Sequence, residues 1–403
     1  MNNFPIAPAA TYRLQFNQKF RFADARALVP YLQALGVTDL YASPLLAARR
    51  GTPHGYDVTD PARLNPELGN EKEFAALAGE LQQRGMGLLL DIVPNHMAAS
   101  SENPWWADVL KNGPESPSAA FFDIDWNPEA VPGLSNKVLV PVLGAPYGEA
   151  LENQELTVAL AEDGFWLCYH ELRFPLNHAS SVRILEHGLE RLAQNPGLHH
   201  PAAAQLLDLI AALKKPPGQT EGEHPAMSGK PAEAGEHKER ERAAVMAPDG
   251  EPGECEEAGE PEKKGGTPGS AACRQTVWEN LWRLYNGQPE IKAFLDENLR
   301  IINGRKGNPE SFNLLDRIIR EQSYRLAFWR TAKEEINYRR FFDVSDLVSL
   351  RMEEEKVFAA THALILRLAA AGQVTGLRID HIDGLYDPEA YLSRLQESLR
   401  KGG

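Results

Sequence analysis

The chain has 403 residues, is 43% hydrophobic and carries a formal charge of -14, which allows two or three domains around a sizeable core. The acidic balance, with no basic cluster, argues against nucleic acid and anionic membrane as partners and suits a neutral ligand such as a sugar. Three cysteines (Cys168, Cys255, Cys273) without a Cys-x-x-Cys pair, no charged leader and no long apolar run predict a soluble, unsecreted protein of the reducing cytoplasm.

In chain order, residues 11–16 are β-prone and predict a short strand, and residues 23–35 have helical spacing that stops at Gly36. A second strand is expected over 37–42, ended by Ser43-Pro44. Residues 50–60 contain Gly51, Pro53 and Gly55 and predict a loop. On it, Tyr56 is either a stacking platform for a sugar ring or an aromatic packed on the domain top. An amphipathic helix over 74–81 precedes the buried run Leu88-Leu89-Leu90-Asp91-Ile92-Val93, where Pro94 stops the ladder and Asn95 and His96 emerge. Strand, helix, strand, helix, strand is the pattern of a parallel sheet with helical crossovers.

After His96 the alternation lapses until about Glu353, far longer than an ordinary loop, so an inserted domain is expected over 97–352. A hairpin is predicted for 156–161 and 165–170 around Glu162-Asp163-Gly164, and helical spacing covers 183–213 and 276–329. Residues 216–277 contain no Leu, Ile, Phe, Tyr or Trp, cannot bury enough apolar surface to offset ordering entropy, and are expected to be disordered. The strand–helix pattern resumes over 353–403. There Val374 to Leu385 reads as a strand running into a loop, with Arg378 and Asp380 on one face. Alone, that pair is a structural ion pair or a carboxylate nucleophile beside an arginine that favours its charged form.

Gly-Leu-Arg378-Ile-Asp380-His together with Asp91-Ile-Val-Pro-Asn95-His96 resembles the catalytic strands of the α-amylase family of glycoside hydrolases and transglycosylases. Leu139 to Leu151 (LVPVLGAPYGEAL), His170 to Asn177 (HELRFPLN) and Ile336 to Asp343 (INYRRFFD) resemble the maltooligosyl trehalose synthases within it. The resemblance implies an α/β fold, a (β/α)8 TIM barrel of which residues 1–96 and 353–403 supply about the first four βα units, with the large, mostly helical insert after strand 3. It implies that Asp380 is the nucleophile of a retaining mechanism, that Tyr56 and His96 contact the cleaved sugar, and that Asp91 and Asn95 support the site. Arg378, His381 and Asp383 are further implied substrate contacts. The implied substrate is a maltooligosaccharide or α-1,4-glucan, with no metal or organic cofactor and with functional coupling to a maltooligosyl trehalose trehalohydrolase.

The family's general acid is a glutamate on the strand after the nucleophile strand, and a βα unit with its next strand takes roughly 30 residues or more. Too few follow Asp380, and 388–400 reads as the intervening helix, so the acid is expected to be absent and the chain to resemble an N-terminal half, inactive alone. Three readings follow: a trehalose-forming mutase or a fragment of one, an α-1,4-glucan hydrolase, and a catalytically dead sugar-binding chain.

Overall fold

The computed structural model describes residues 7–194, 201–214 and 271–402. Strand β1 (Thr11–Leu14) leads through the helix Phe22–Ala34 to β2 (Asp39–Ala42), and the helix places Phe22, Ala25, Val29 and Leu32 on one buried stripe. An antiparallel pair, β3 (Leu46–Ala48) and β4 (Val58–Leu64), follows. The expected loop therefore ends at Asp57: Val58, Thr59 and Asp60 belong to β4, which tolerates Pro61 because it lies in a two-stranded sheet. The helix Glu71–Gln83 starts with a capping box in which Asn70 Oδ1 accepts from the Glu73 amide while Glu73 Oε2 accepts from the Asn70 amide. It runs into β5 (Gly87–Ile92), and the short β6 (His96–Ala98) follows.

The insert is more β-rich than its spacing suggested. It holds β7 (Val138–Leu143), the three-stranded antiparallel sheet β8 (Leu156–Ala161), β9 (Gly164–Tyr169) and β10 (Leu172–Pro175), and then β11 (Tyr324–Phe328), β12 (Arg340–Phe341) and β13 (Val344–Ser349). The hairpin β8–β9 forms at the expected turn, with Ala161 opposite Gly164. Residues 324–328, expected to be helical, instead pair in parallel with β7 and bury Tyr324 and Leu326; five residues are too few for periodicity to separate helix from strand. Helices at His178–Glu186, Pro201–Lys214, Ala271–Gly287, Pro289–Ile302 and Asn313–Arg320 make up much of the remainder. The stretch expected to lack order lies outside the described residues except at its end, where residues 271–277 begin the helix Ala271–Gly287 and Val277 is buried.

The helix Glu355–Ala370 crosses to β14 (Gly376–Ile379), and the chain closes on the helix Pro388–Gly402. Strands β1, β2, β5 and β14 form one sheet in that order, all neighbours parallel. Three amphipathic helices make the three crossovers, as a parallel sheet requires. Leu40, Leu88, Leu90 and Ile92 lie in a hydrophobic cluster that continues into Val140, Leu167 and Leu281 of the insert. Sheet and insert therefore share a core. Among the described residues no helix is long and apolar enough to cross a membrane.

Candidate active site

The parallel register places Arg378 beside Asp91 on β14 and β5, and Arg13 beside Tyr41 on β1 and β2. These side chains meet at the carboxyl ends of the parallel strands, where functional groups gather in α/β sheets. Arg378 Nη1 donates to Asp91 Oδ1 at 3.0 Å and to Asp380 Oδ1 at 2.5 Å. The hydroxyls of Tyr41 and Tyr56 donate to Asp91 Oδ2 at 2.9 and 2.7 Å, and Arg13 Nη2 donates to the Tyr56 hydroxyl at 3.2 Å. Asp91 is buried, and Arg378, Tyr41 and Tyr56 satisfy its two oxygens. Asp380 is tied to β5 by its own amide, which donates to the Ile92 carbonyl at 2.9 Å. No described residue donates to its Oδ2.

The electrostatics follow from this network. Burial, followed by the hydrogen bond to Asp91, pushes the Tyr56 phenol up to about 12, and Tyr41 moves the same way for the same reasons. Burial alone would pull the Arg378 guanidinium down, but its bonds to Asp91 and Asp380 outweigh that and raise it. It is a permanent cation.

His96 is 1% exposed, and its Nε2 makes no hydrogen bond. Burial, with His381 nearby, lowers the imidazole to about 4 against a weaker opposing pull from the Tyr56 main chain. Its ring lies 4.5 Å from that of Phe341, which lies 4.7 Å from the ring of His381. Phe342, 70% exposed, stands 4.9 Å from His381. His381 has φ 50°, a left-handed conformation costly for a residue with a Cβ and common where loops are held for function. Asp383 is mostly exposed, and its Oδ1 lies 3.5 Å from His381 Nδ1.

The residues singled out in the sequence thus separate. Tyr56, Asp91, Arg378 and Asp380 form one hydrogen-bonded cluster; His96 and His381 flank a shared aromatic wall; Asp383 lies against His381. Three participants were missed. Tyr41 reads as one more strand aromatic and Arg13 as a polar residue of an exposed first strand. Arg339 lies in INYRRFFD, a segment whose sequence does not say what its side chain binds. It donates to Asn95 Oδ1 at 3.1 Å, to the carbonyls of Gly384 at 2.5 Å and Leu350 at 2.9 Å, and to Asp123 Oδ2 at 2.8 Å.

A family model described as the α-amylase catalytic domain matches residues 27–148. A protein of Mycobacterium tuberculosis named as a candidate maltooligosyl trehalose synthase is 29% identical over 98% of the chain and 34% of its own length. The solved structure of maltooligosyltrehalose synthase from Arthrobacter ramosus matches with a TM-score of 0.58 at 29% identity, over 98% of this chain and 34% of that one. The chain is related to the maltooligosyl trehalose synthases. It spans about a third of the length of these relatives, and its fold is the α/β fold of the amylase type. A solved structure from Sulfolobus tokodaii, titled a hypothetical maltooligosyl trehalose synthase, agrees at 26% identity and a TM-score of 0.56, over 98% of this chain and 34% of that one.

Proposed function

We propose that the chain carries the nucleophile side of a retaining transglycosylase site that converts the reducing-end α-1,4 linkage of a maltooligosaccharide to an α,α-1,1 linkage. The observation that carries this reading is the Asp91–Arg378–Asp380 bridge. It holds one oxygen of Asp380 at 2.5 Å from Arg378 and leaves the other without a donor. A carboxylate so oriented and paired with a cation is suited to attack an anomeric carbon. Tyr56 and His96 are proposed to border the sugar whose C1 is attacked, with Asn95 supporting His96, and His381 and Asp383 are proposed as further sugar contacts. The departing glucose stays bound, turns, and attacks the glycosyl ester through its own anomeric hydroxyl. Water exclusion decides between transfer and hydrolysis. The trehalose-ended product would suit a maltooligosyl trehalose trehalohydrolase acting next.

The general acid is assigned to no residue of this chain, since Glu389 and Glu397 lie on the helix Pro388–Gly402. The test therefore uses a donor that needs none. With α-maltotriosyl fluoride the C1–F bond breaks, fluoride leaves with the electron pair, and an Asp380 oxygen forms the ester bond to C1. Intact-mass measurement should show one maltotriosyl addition, mapped to Asp380 and lost in Asp380→Asn. An addition mapped to another carboxylate, or none on a folded chain that binds maltotriose, would overturn the assignment.

A further inference from the structure

Arg339 belongs to the insert, yet its guanidinium joins four separate segments: Asp123, Asn95 after β5, Leu350 after β13, and Gly384 after the proposed nucleophile. A guanidinium only donates hydrogen bonds and does not lose its proton in proteins. The Asn95 atom facing it must therefore be the carbonyl oxygen. That choice turns the Asn95 amide nitrogen toward His96 Nδ1, 3.3 Å away. An amide nitrogen also only donates, so Nδ1 must accept, and a neutral imidazole that accepts at Nδ1 carries its hydrogen on Nε2.

We infer that Arg339 is a positioning residue that, through the Asn95 amide, fixes His96 as the Nε2–H tautomer and so presents a hydrogen-bond donor to the site. The imidazole is neutral in the folded chain, its pKa lowered to about 4, so the choice is between two tautomers. Among the described neighbours the Tyr56 main chain pulls toward the protonated ring, and that pull is weaker than burial and the nearby His381. Ser349, the register partner of His96 on β13, has a buried hydroxyl with no hydrogen-bond partner. The neighbouring Phe341 ring offers no σ lone pair.

His96 Nε2 is buried and unbonded, and leaving a buried donor unmet is costly. An acceptor oxygen, such as a sugar hydroxyl or ring oxygen, would satisfy it. That last step rests on the function proposed above; the tautomer does not. The insert thereby acts on this histidine through Arg339 and Asn95. One arginine anchors the loop after β14 through Gly384 and sets the polarity of the histidine after β5.

The experiment is nitrogen NMR of the full chain labelled with 15N-histidine, with His96 assigned by its disappearance in His96→Gln. In the unaltered chain near pH 7 the His96 Nδ1 resonance should lie at the unprotonated position and Nε2 at the protonated one. The reverse pattern would overturn the inference without any variant. Asn95→Asp keeps the oxygen facing Arg339 but replaces the amide donor with a second acceptor, so the two resonances should exchange. Arg339→Met, with folding checked by circular dichroism, should give averaged shifts from mixed tautomers, and Arg339→Lys should restore the single Nε2–H form. A folded Arg339→Met chain that keeps a pure Nε2–H tautomer would remove Arg339 from the mechanism. Failure to bind maltooligosaccharide would count against the proposed function and leave the tautomer result standing.

Discussion

His96 and His362 are buried neutral imidazoles, each lowered from 6.5 to about 4 chiefly by loss of solvent. His362 sits in the core between the helices Glu355–Ala370 and Pro388–Gly402, with Nε2 2.8 Å from the Tyr391 hydroxyl and Nδ1 3.1 Å from the Phe358 carbonyl. Between pH 6.5 and 4 the unfolded chain binds the protons that the folded chain refuses. Stability from these groups is therefore full above about pH 6.5 and falls as pH falls toward 4. Moving from pH 7 to 5 should cost about 2 kcal/mol per histidine, read as a lower urea midpoint. The His96→Gln, His362→Gln double variant should lose less over the same interval, and an unchanged difference would show that other groups govern the acid response.

The loop after β14 is held from two sides, by the Arg339 contact to the Gly384 carbonyl and by close packing at Gly384 itself. A Cβ there would lie 2.5 Å from the His381 ring and 2.7 Å from Asn95 Oδ1, closer than real side chains approach. His381 cannot simply swing away, because Phe341 and Phe342 pack on its ring at 4.7 and 4.9 Å. Gly384→Ala should cost about 1–3 kcal/mol in urea unfolding through overpacking. Faster amide exchange over residues 381–384 than elsewhere in the sheet should accompany it. Retained stability with unchanged exchange would show that the loop has slack absent from its observed packing.

Across the molecule, the sheet β1-β2-β5-β14 ends on β1 and β14, neither of which pairs with a further described strand. Unpaired parallel edges offer main-chain donors and acceptors to another chain. Tyr12 on β1 is 45% exposed, and Leu377 and Ile379 on β14 are only partly covered. The chain should therefore self-associate as its concentration rises through the micromolar range, seen as a rising weight-average mass in sedimentation velocity. A monodisperse monomer throughout would mean that these edges are protected.

Where structure follows from neighbours in sequence, the sequence alone was enough. The helix Phe22–Ala34, the turn between β8 and β9, the strand carrying Asp91, the strand that ends just before Asp380, and the shared side of Arg378 and Asp380 depend on local period and turn chemistry. Tyr324–Phe328 escaped this reading because five residues carry too little period, and pairing with β7 decided the matter. The site's wiring escaped it for a different reason. Arg339 and Asn95 are separated by 244 positions, and Arg378 and Asp91 by 287. Such pairs meet only after strand register and the return path of the insert bring them within hydrogen-bonding range. Which acceptor Arg339 finds, and hence which His96 nitrogen holds the hydrogen, is set by distances of about 3 Å that local periodicity does not encode. The sequence determined the chemical groups and the strands that bear them; tertiary structure alone decided their partners, because hydrogen bonds form between atoms that folding brings together.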